Sequence, residues 1–249
     1  MNNIEYIIPG IWRDKRELLA LFTLKNASLF NDNRQIQGLN FGLNTNEKKT
    51  IVKYNRELLY DYMGIDEHEI AMVHQVHGNR VVYANKSQSK QKADALVTDR
   101  SELALAIKVA DCAAVLLADI ENRVIGAAHA GWRGAVSGVI ANTVGNMLKL
   151  GADVNHIEAY VSPCICQQKF EVGEEVAEQF DEEFVDRINY TKPHVNLKGY
   201  IKKQLNTEGI KDENVDIDSG GTITDEDKFY SYRREKDNSG RMLALIMLL

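Results

Sequence analysis

Two apolar runs, Ala113–Ala118 and Val124–Ala128, lie only a few residues apart, and the segment between them is polar, with Asp119, Glu121 and Asn122. That arrangement reads as an antiparallel hairpin. The start of the first strand then lies beside the end of the second. Cys112 immediately precedes the first run and His129 immediately follows the second, so the hairpin is expected to bring a thiol and an imidazole together at one end of a sheet. Such a pair is either part of a metal site or a nucleophile with its base.

Composition narrows the classes. The 249 residues are 44% hydrophobic and 27% charged, ordinary for a folded α/β unit. A net charge of −6 argues against a broad nucleic-acid surface, which would need a basic face, but leaves room for a small anion in a local pocket. The opening MNNIEYIIPG lacks the basic and apolar regions of a signal peptide. The run Met242–Leu249 is too short to span a bilayer and reads as a buried strand. Three cysteines without a secretion signal suggest a reducing, cytoplasmic setting in which thiols act as ligands or nucleophiles.

Along the chain, Leu18–Leu24 reads as an early strand and Asn40–Asn44 as a turn-like segment. Ile51, Leu58, Leu59 and Tyr62 recur at helical spacing until Gly64. Met72–Val76 and Arg80–Tyr83 flank Gly78-Asn79 as a second expected hairpin. Leu103–Val109 is a further strand. Val136, Ile140, Val144, Met147 and Leu148 mark a helix face that Gly151 ends. Ile157–Val161 and Val215–Ile217 read as strands. Val176, Phe180 and Phe184 suggest one helix, and Leu197, Tyr200, Ile201 and Leu205 another. Phe229–Tyr232 and Met242–Leu249 form a last expected hairpin around Asp237–Gly240. With no linker or repeat, the simplest architecture is one α/β domain over residues 1–249, α+β being the alternative: a mixed sheet with helices packed on it.

Of the six histidines, five remain to compete for a place beside Cys112 and His129. His68, His156 and His194 sit in polar surroundings and are expected to be solvated. His74 and His77, three apart on a strand, point to opposite faces. His77 is favoured, because Gly78 after it permits close backbone approach. His77, Cys112 and His129 would form a His₂Cys set with a fourth position open for water or substrate, as in catalytic zinc sites. Alternatively Cys112 is a buried apolar thiol and His129 a satisfied core histidine.

After His129, Gly131-Trp132-Arg133-Gly134 falls where strand turns to helix. Free N–H groups beside the Arg133 guanidinium would make an anion site there. Asp111 is the candidate to orient a ligand histidine or act as a base, with a turn role as the bland alternative. Cys164 and Cys166 lack further ligands nearby, which favours burial. The tail holds Arg233, Arg234 and Arg241, and Tyr232-Arg233 is a candidate pocket wall.

QVHG at Gln75–Gly78, ADALVTD at Ala93–Asp99, ADC at Ala110–Cys112 and HAGWRG at His129–Gly134 resemble the YfiH/YlmD family. LNFG at Leu39–Gly42, NR at Asn55-Arg56, FEVGEEV at Phe170–Val176 and FYSYRREK at Phe229–Lys236 extend the likeness along nearly the whole chain. That family was first described as multicopper polyphenol oxidase, or laccase-like, and later as purine nucleoside phosphorylase. The resemblance implies an α/β single domain with zinc (Zn2+) on His77, Cys112 and His129. It implies phosphorolysis of adenosine, inosine and methylthioadenosine, with adenosine deamination beside it. It also implies a substrate and phosphate pocket to which Asn40, Arg56 and Arg233 contribute. The chain departs from the family's GPxIGP segment, carrying SPCICQ at Ser162–Gln167.

Four functions follow for comparison. A self-contained multicopper laccase would need on the order of ten imidazoles, and six are present, although copper (Cu2+) could occupy the His₂Cys set. A thiol hydrolase, in peptidoglycan-precursor editing for instance, would use Cys112 and His129 and leave His77 idle. A non-enzymatic zinc module would need a fourth ligand. Zinc-dependent phosphorolysis uses the triad, the anion site and the arginines together. The expected partners are small nucleosides and phosphate, with no nucleic-acid polymer and no membrane, and the expected assembly is a monomer or weak homodimer.

Overall fold

The computed structural model describes residues 3–30, 34–86 and 91–249. It opens with β1 (Tyr6–Ile7), β2 (Leu18–Thr23), α1 (Lys49–Met63) and β3 (Ile70–Ala71). Next come β4 (Val81–Tyr83), β5 (Ala95–Thr98), β6 (Ala104–Val109), β7 (Ala113–Asp119), β8 (Val124–Ala130), α2 (Trp132–Val136) and α3 (Val139–Lys149). The remainder holds β9 (Glu158–Val161), α4 (Glu174–Ala177), β10 (Val185–Asp186), β11 (His194–Val195), α5 (Leu197–Thr207), β12 (Val215–Ile217), α6 (Tyr232–Glu235) and β13 (Met242–Leu248).

The class is the expected mixed α/β, but the strands divide between two main sheets rather than one. One sheet runs β1-β2-β13-β6-β3 and the other β12-β9-β7-β8-β5-β4, with β10 and β11 paired separately. The two sheets pack face to face. Phe22 of β2, Leu105 and Ile107 of β6, and Ala244 and Ile246 of β13 meet Leu116 of β7, Ile125 of β8 and Tyr160 of β9. The opposite face of the five-stranded sheet, with Ala106, Leu243 and Leu245, is covered by Leu59 and Tyr60 of α1. The outer face of the six-stranded sheet, with Val115, Leu117 and Ala128, is covered by Val144 and Met147 of α3 and Ile201 of α5. Both faces of the central strands β7, β8 and β13 are therefore dry. That is why β7, β8 and β13 read as unbroken apolar runs instead of alternating ones. Each Leu or Ile buried there contributes about 1.5–3 kcal/mol.

The central hairpin forms as expected, with Ala113 opposite Ala130 and Asp119 opposite Val124. Gly64, at φ 68°, caps α1 with its N–H on the carbonyls of Tyr60 and Asp61. Three other expectations fail for local reasons. The proposed hairpin around Gly78-Asn79 does not form: β3 pairs in parallel with β6, and β4 in parallel with β5. Residues 72–80 instead cross from one sheet to the other, turned by His77 at φ 61°. Phe229–Tyr232 is not a strand. Phe229 and Tyr230 plug the core between the sheets, and Ser231 caps α6 by accepting the Arg234 N–H at 3.2 Å. Val176, Phe180 and Phe184 do not share one helix, since α4 ends at Ala177. Phe180 and Phe184 instead reach Tyr200 of α5 edge-on, at 4.8 and 5.6 Å between ring centroids.

His194 also departs from expectation. It is buried, stacked on Tyr190 at 3.8 Å, with Nδ1 2.9 Å from the Gln167 carbonyl oxygen. Packing between β11 and the Gln167 turn takes it out of solvent. No helix among the described residues is long and apolar enough to cross a membrane.

Candidate metal centre

The hairpin register sets Ala114 opposite His129, which places Cys112, two residues earlier, at the rim beside that imidazole. The crossing segment delivers His77 from the third side. The potential ligand atoms of His77, Cys112 and His129 all lie within 4.8 Å of one another. The two imidazoles meet at 76°, with centroids 4.8 Å apart. Gly131 leaves room for this convergence: a Cβ there would sit 2.7 Å from Cys112 Sγ and 3.4 Å from His77 Cδ2.

Asp94, just before β5, organises the cluster, and sequence reasoning did not single it out. Its carboxylate lies 2.9 Å from His129 Nδ1 and accepts the backbone N–H groups of His77 at 2.8 Å and Gly78 at 2.7 Å. The Val76 N–H reaches both carboxylate oxygens at 3.2 Å. Burial opposes the ionised carboxylate, but the His129 bond and the backbone N–H groups override it and hold the pKa below its ordinary value. One carboxylate thus fixes two ligands. It holds His129 with Nδ1 as donor and Nε2 free for a ligand role. It also satisfies the N–H groups of a turn whose left-handed His77 would otherwise be strained. Its place directly before the apolar run Ala95–Thr98 was the available signal, because a carboxylate buried beside such a strand demands partners.

Electrostatics favour a cation here. Burial would raise the Cys112 thiol, yet the imidazoles of His129 and His77 outweigh it and bring the pKa down to about 6. Burial would lower His129, but Cys112 and Asp94 outweigh it, raising its pKa to about 9. A thiolate facing imidazoles is charge balance that a divalent ion can take over by displacing protons. Two imidazoles and one thiolate suit zinc or copper. Tetrahedral zinc needs donor atoms roughly 3.5 Å apart, so the observed cluster closes on an ion with small side-chain movements.

The triad opens into a cavity of about 1290 Å³. Trp132, Phe170 and Tyr232 give it aromatic walls, and Arg56, Lys108, Arg233 and Arg241 are among its cations. The Arg233 guanidinium lies 5.7 Å from the Phe170 ring, and that of Arg241 5.5 Å from Tyr232.

The other sequence candidates separate clearly. Arg56, Arg233 and Asp111 line the cavity, whereas Asn40 and Arg133 do not. Asn40 is fully buried and acts as a loop staple, its Oδ1 accepting the N–H groups of Gly42 at 2.8 Å and Arg241 at 3.0 Å. Arg133 is exposed and stacks over Trp132 at 4.3 Å. It is therefore not brought to the triad, and α2, only five residues long, does not aim it there. Asp111 orients no histidine. At φ 84° it accepts from Thr222 Oγ1 at 2.7 Å and from the Arg233 N–H at 2.6 Å, anchoring the tail against the hairpin. Cys164 is buried and its thiol is pushed up to about 12 by burial, while Cys166 is half-buried.

A family described as multi-copper polyphenol oxidoreductase laccase matches residues 20–249. A Deinococcus radiodurans protein named purine nucleoside phosphorylase is 41% identical over 216 residues, covering 85% of this chain and 82% of that one. A Streptomyces griseus protein of the same name is 33% identical over 217 residues, covering 84% and 87%. The crystal structure of a Bacillus licheniformis hypothetical protein, YfiH, aligns with a TM-score of 0.86 at 25% identity over 95% of this chain and 94% of that one. A Neisseria meningitidis protein aligns with a TM-score of 0.84 at 29% identity over 98% of each chain. The chain belongs to the multi-copper polyphenol oxidoreductase laccase family, the YfiH family, whose members include proteins named purine nucleoside phosphorylase.

Proposed function

We propose that this chain is a zinc-dependent purine nucleoside phosphorylase, one catalytic domain over residues 1–249. Adenosine, inosine and methylthioadenosine are its substrates, with adenosine deamination as a side activity. The observation that carries the reading is the His77–Cys112–His129 cluster opening into a basic, aromatic-walled cavity. The names of the relatives at 41% and 33% identity support the reaction class.

Zinc on the triad would supply a Lewis acid beside the bound substrate. The protein's own groups do the rest. Asp94 keeps His129 in one tautomer and His77 in one turn, so both imidazoles hold their direction. Trp132, Phe170 and Tyr232 offer flat apolar surfaces against which a purine can stack while water is excluded. The cavity's cations attract phosphate and oppose its repulsion from the electron-rich base. In phosphorolysis, a phosphate oxygen forms a bond to the anomeric carbon as the glycosidic bond breaks. The bonding electrons leave with the purine, which takes up a proton.

The oxidase reading lacks ligands. His68 and His74 are exposed, His156 pairs with Glu121 at 3.3 Å, and His194 is occupied on Tyr190. Among the described residues, the triad is the one group of three or more His, Cys, Asp or Glu placed to share an ion. The deciding experiment incubates metal-analysed protein with adenosine or inosine, with and without phosphate. Ribose 1-phosphate and free base, formed only with phosphate, support phosphorolysis. Inosine alone from adenosine at every phosphate concentration overturns it in favour of deamination.

A further inference from the structure

Lys108, next to last in β6, lies on the face shared with Ala104 and Ala106, toward α1, and lines the cavity together with Arg56 of α1. The two cations are close enough that Arg56 opposes the Lys108 charge; desolvation is the larger cause, and together they bring its pKa down to about 8. Neither residue takes part in an ion pair among the described residues. Arg56 gives one Nη2–H to the Phe41 carbonyl at 2.8 Å, and its buried Nε has no acceptor. Two neighbouring cations that form no ion pair repel one another, a cost that an anion seated between them would offset.

The backbone under Lys108 is also held in place. Gln75 donates from Nε2 to the Lys108 carbonyl at 2.7 Å and accepts the Lys108 N–H on Oε1 at 3.1 Å. These bonds continue the parallel pairing of β3 with β6 after β3 has ended. Gln75 lies two residues before His77, so the same short segment supports both Lys108 and the triad. The acids on the cavity wall are Glu57, Glu67, Asp111 and Asp237, and the oxygens of Asp111 are taken by Thr222 and Arg233.

We propose that Arg56 and Lys108 form the cavity's seat for a phosphate oxyanion, with inorganic phosphate as its occupant. The proposal deepens the phosphorylase reading and rests on it for the identity of the occupant. It also moves the anion site from the start of α2, where Arg133 is exposed, to the end of β6. A dianion there would lie between the Arg56 guanidinium and the Lys108 ammonium, both on the cavity wall, and neutralise both.

The test measures melting temperature of the full-length, metal-analysed protein against inorganic phosphate, with adenosine 5′-monophosphate as a second probe. Wild type is expected to melt higher as phosphate rises, because binding to the native state alone stabilises it. Lys108→Met is expected to fold, to melt no lower than wild type without phosphate, and to bind phosphate roughly ten- to a hundredfold more weakly. Lys108→Arg should keep most of the response, and zinc content should be the same in all three. A response to the monophosphate but not to inorganic phosphate, lost in Lys108→Met, keeps the seat but assigns it a phosphate ester. An undiminished phosphate response in Lys108→Met overturns the seat. Turnover separates the two readings. Phosphate binding through Lys108 without ribose 1-phosphate leaves the seat and removes phosphorolysis, whereas phosphate-dependent base release unchanged in Lys108→Met does the reverse.

Discussion

Asp94 and His129 are joined at 2.9 Å inside the protein, with the Asp94 side chain fully buried and that of His129 4% exposed. Through this bond a residue that touches no substrate determines which imidazole nitrogen faces the cavity. Asp94→Asn keeps the shape but removes the charge that fixes the donor. Zinc affinity is expected to fall about 10- to 100-fold, measured by chelator competition, with the circular dichroism spectrum kept. Unchanged affinity would show that the bond is only structural.

Gly131 tests the crowding at the rim. Its added Cβ would approach Cys112 Sγ to 2.7 Å, closer than packing allows. Gly131→Ala is expected to push Cys112 aside and lower zinc content per chain. Thermal stability should fall by about 1–3 kcal/mol. Full zinc occupancy in this variant would mean that the cluster is looser than its geometry implies.

Lys108 gives a pH dependence of known sign. Its folded pKa, about 8, lies below the ordinary 10.5. Below pH 8 both folded and unfolded states carry the charge, and folding bears the whole cost of desolvating it. Between pH 8 and 10.5 the unfolded state binds more protons, so stability rises with pH. The stability advantage of Lys108→Met, on the order of 2 kcal/mol, should therefore be greatest below pH 8 and fade toward pH 10.5. Denaturant titrations of both proteins across that range, without phosphate, measure it. An advantage constant across the range would place Lys108 in a solvated setting.

Arg133 provides the contrast. Exposed and stacked on Trp132, it is outside the cavity wall, so Arg133→Ala should leave phosphate dependence nearly unchanged while Arg56→Lys weakens it. The reverse order, in steady-state phosphate titrations, would return the anion site to the start of α2.

The hairpin of β7 and β8 was legible because a short polar connection between apolar runs permits few other pairings, and its register carried Cys112 to His129. His77 was also legible, because Gly78 beside it permits close backbone approach, but the strand alternation that sets it against His74 does not apply: the chain there is a crossing turn, not a strand. Asp94 escaped notice because its partners are one imidazole 35 residues away and three backbone N–H groups, none of them visible in a local pattern. The division into two sheets was hidden for a similar reason. β13 sits between β2 and β6, a pairing of the chain's end with distant strands that periodicity does not encode. Arg133 and Asn40 misled because helix starts and glycine-flanked loops look alike whether they face a cavity or not.

The most direct measurement combines metal analysis with product analysis on one preparation purified without added metal. About one zinc per chain is expected, lost in Cys112→Ala together with activity, and wild type should convert inosine to hypoxanthine and ribose 1-phosphate only when phosphate is present. Metal-free protein that remains active and is inactivated by a thiol alkylator would contradict the metal centre, and zinc-loaded protein that releases no base at any phosphate concentration would contradict phosphorolysis.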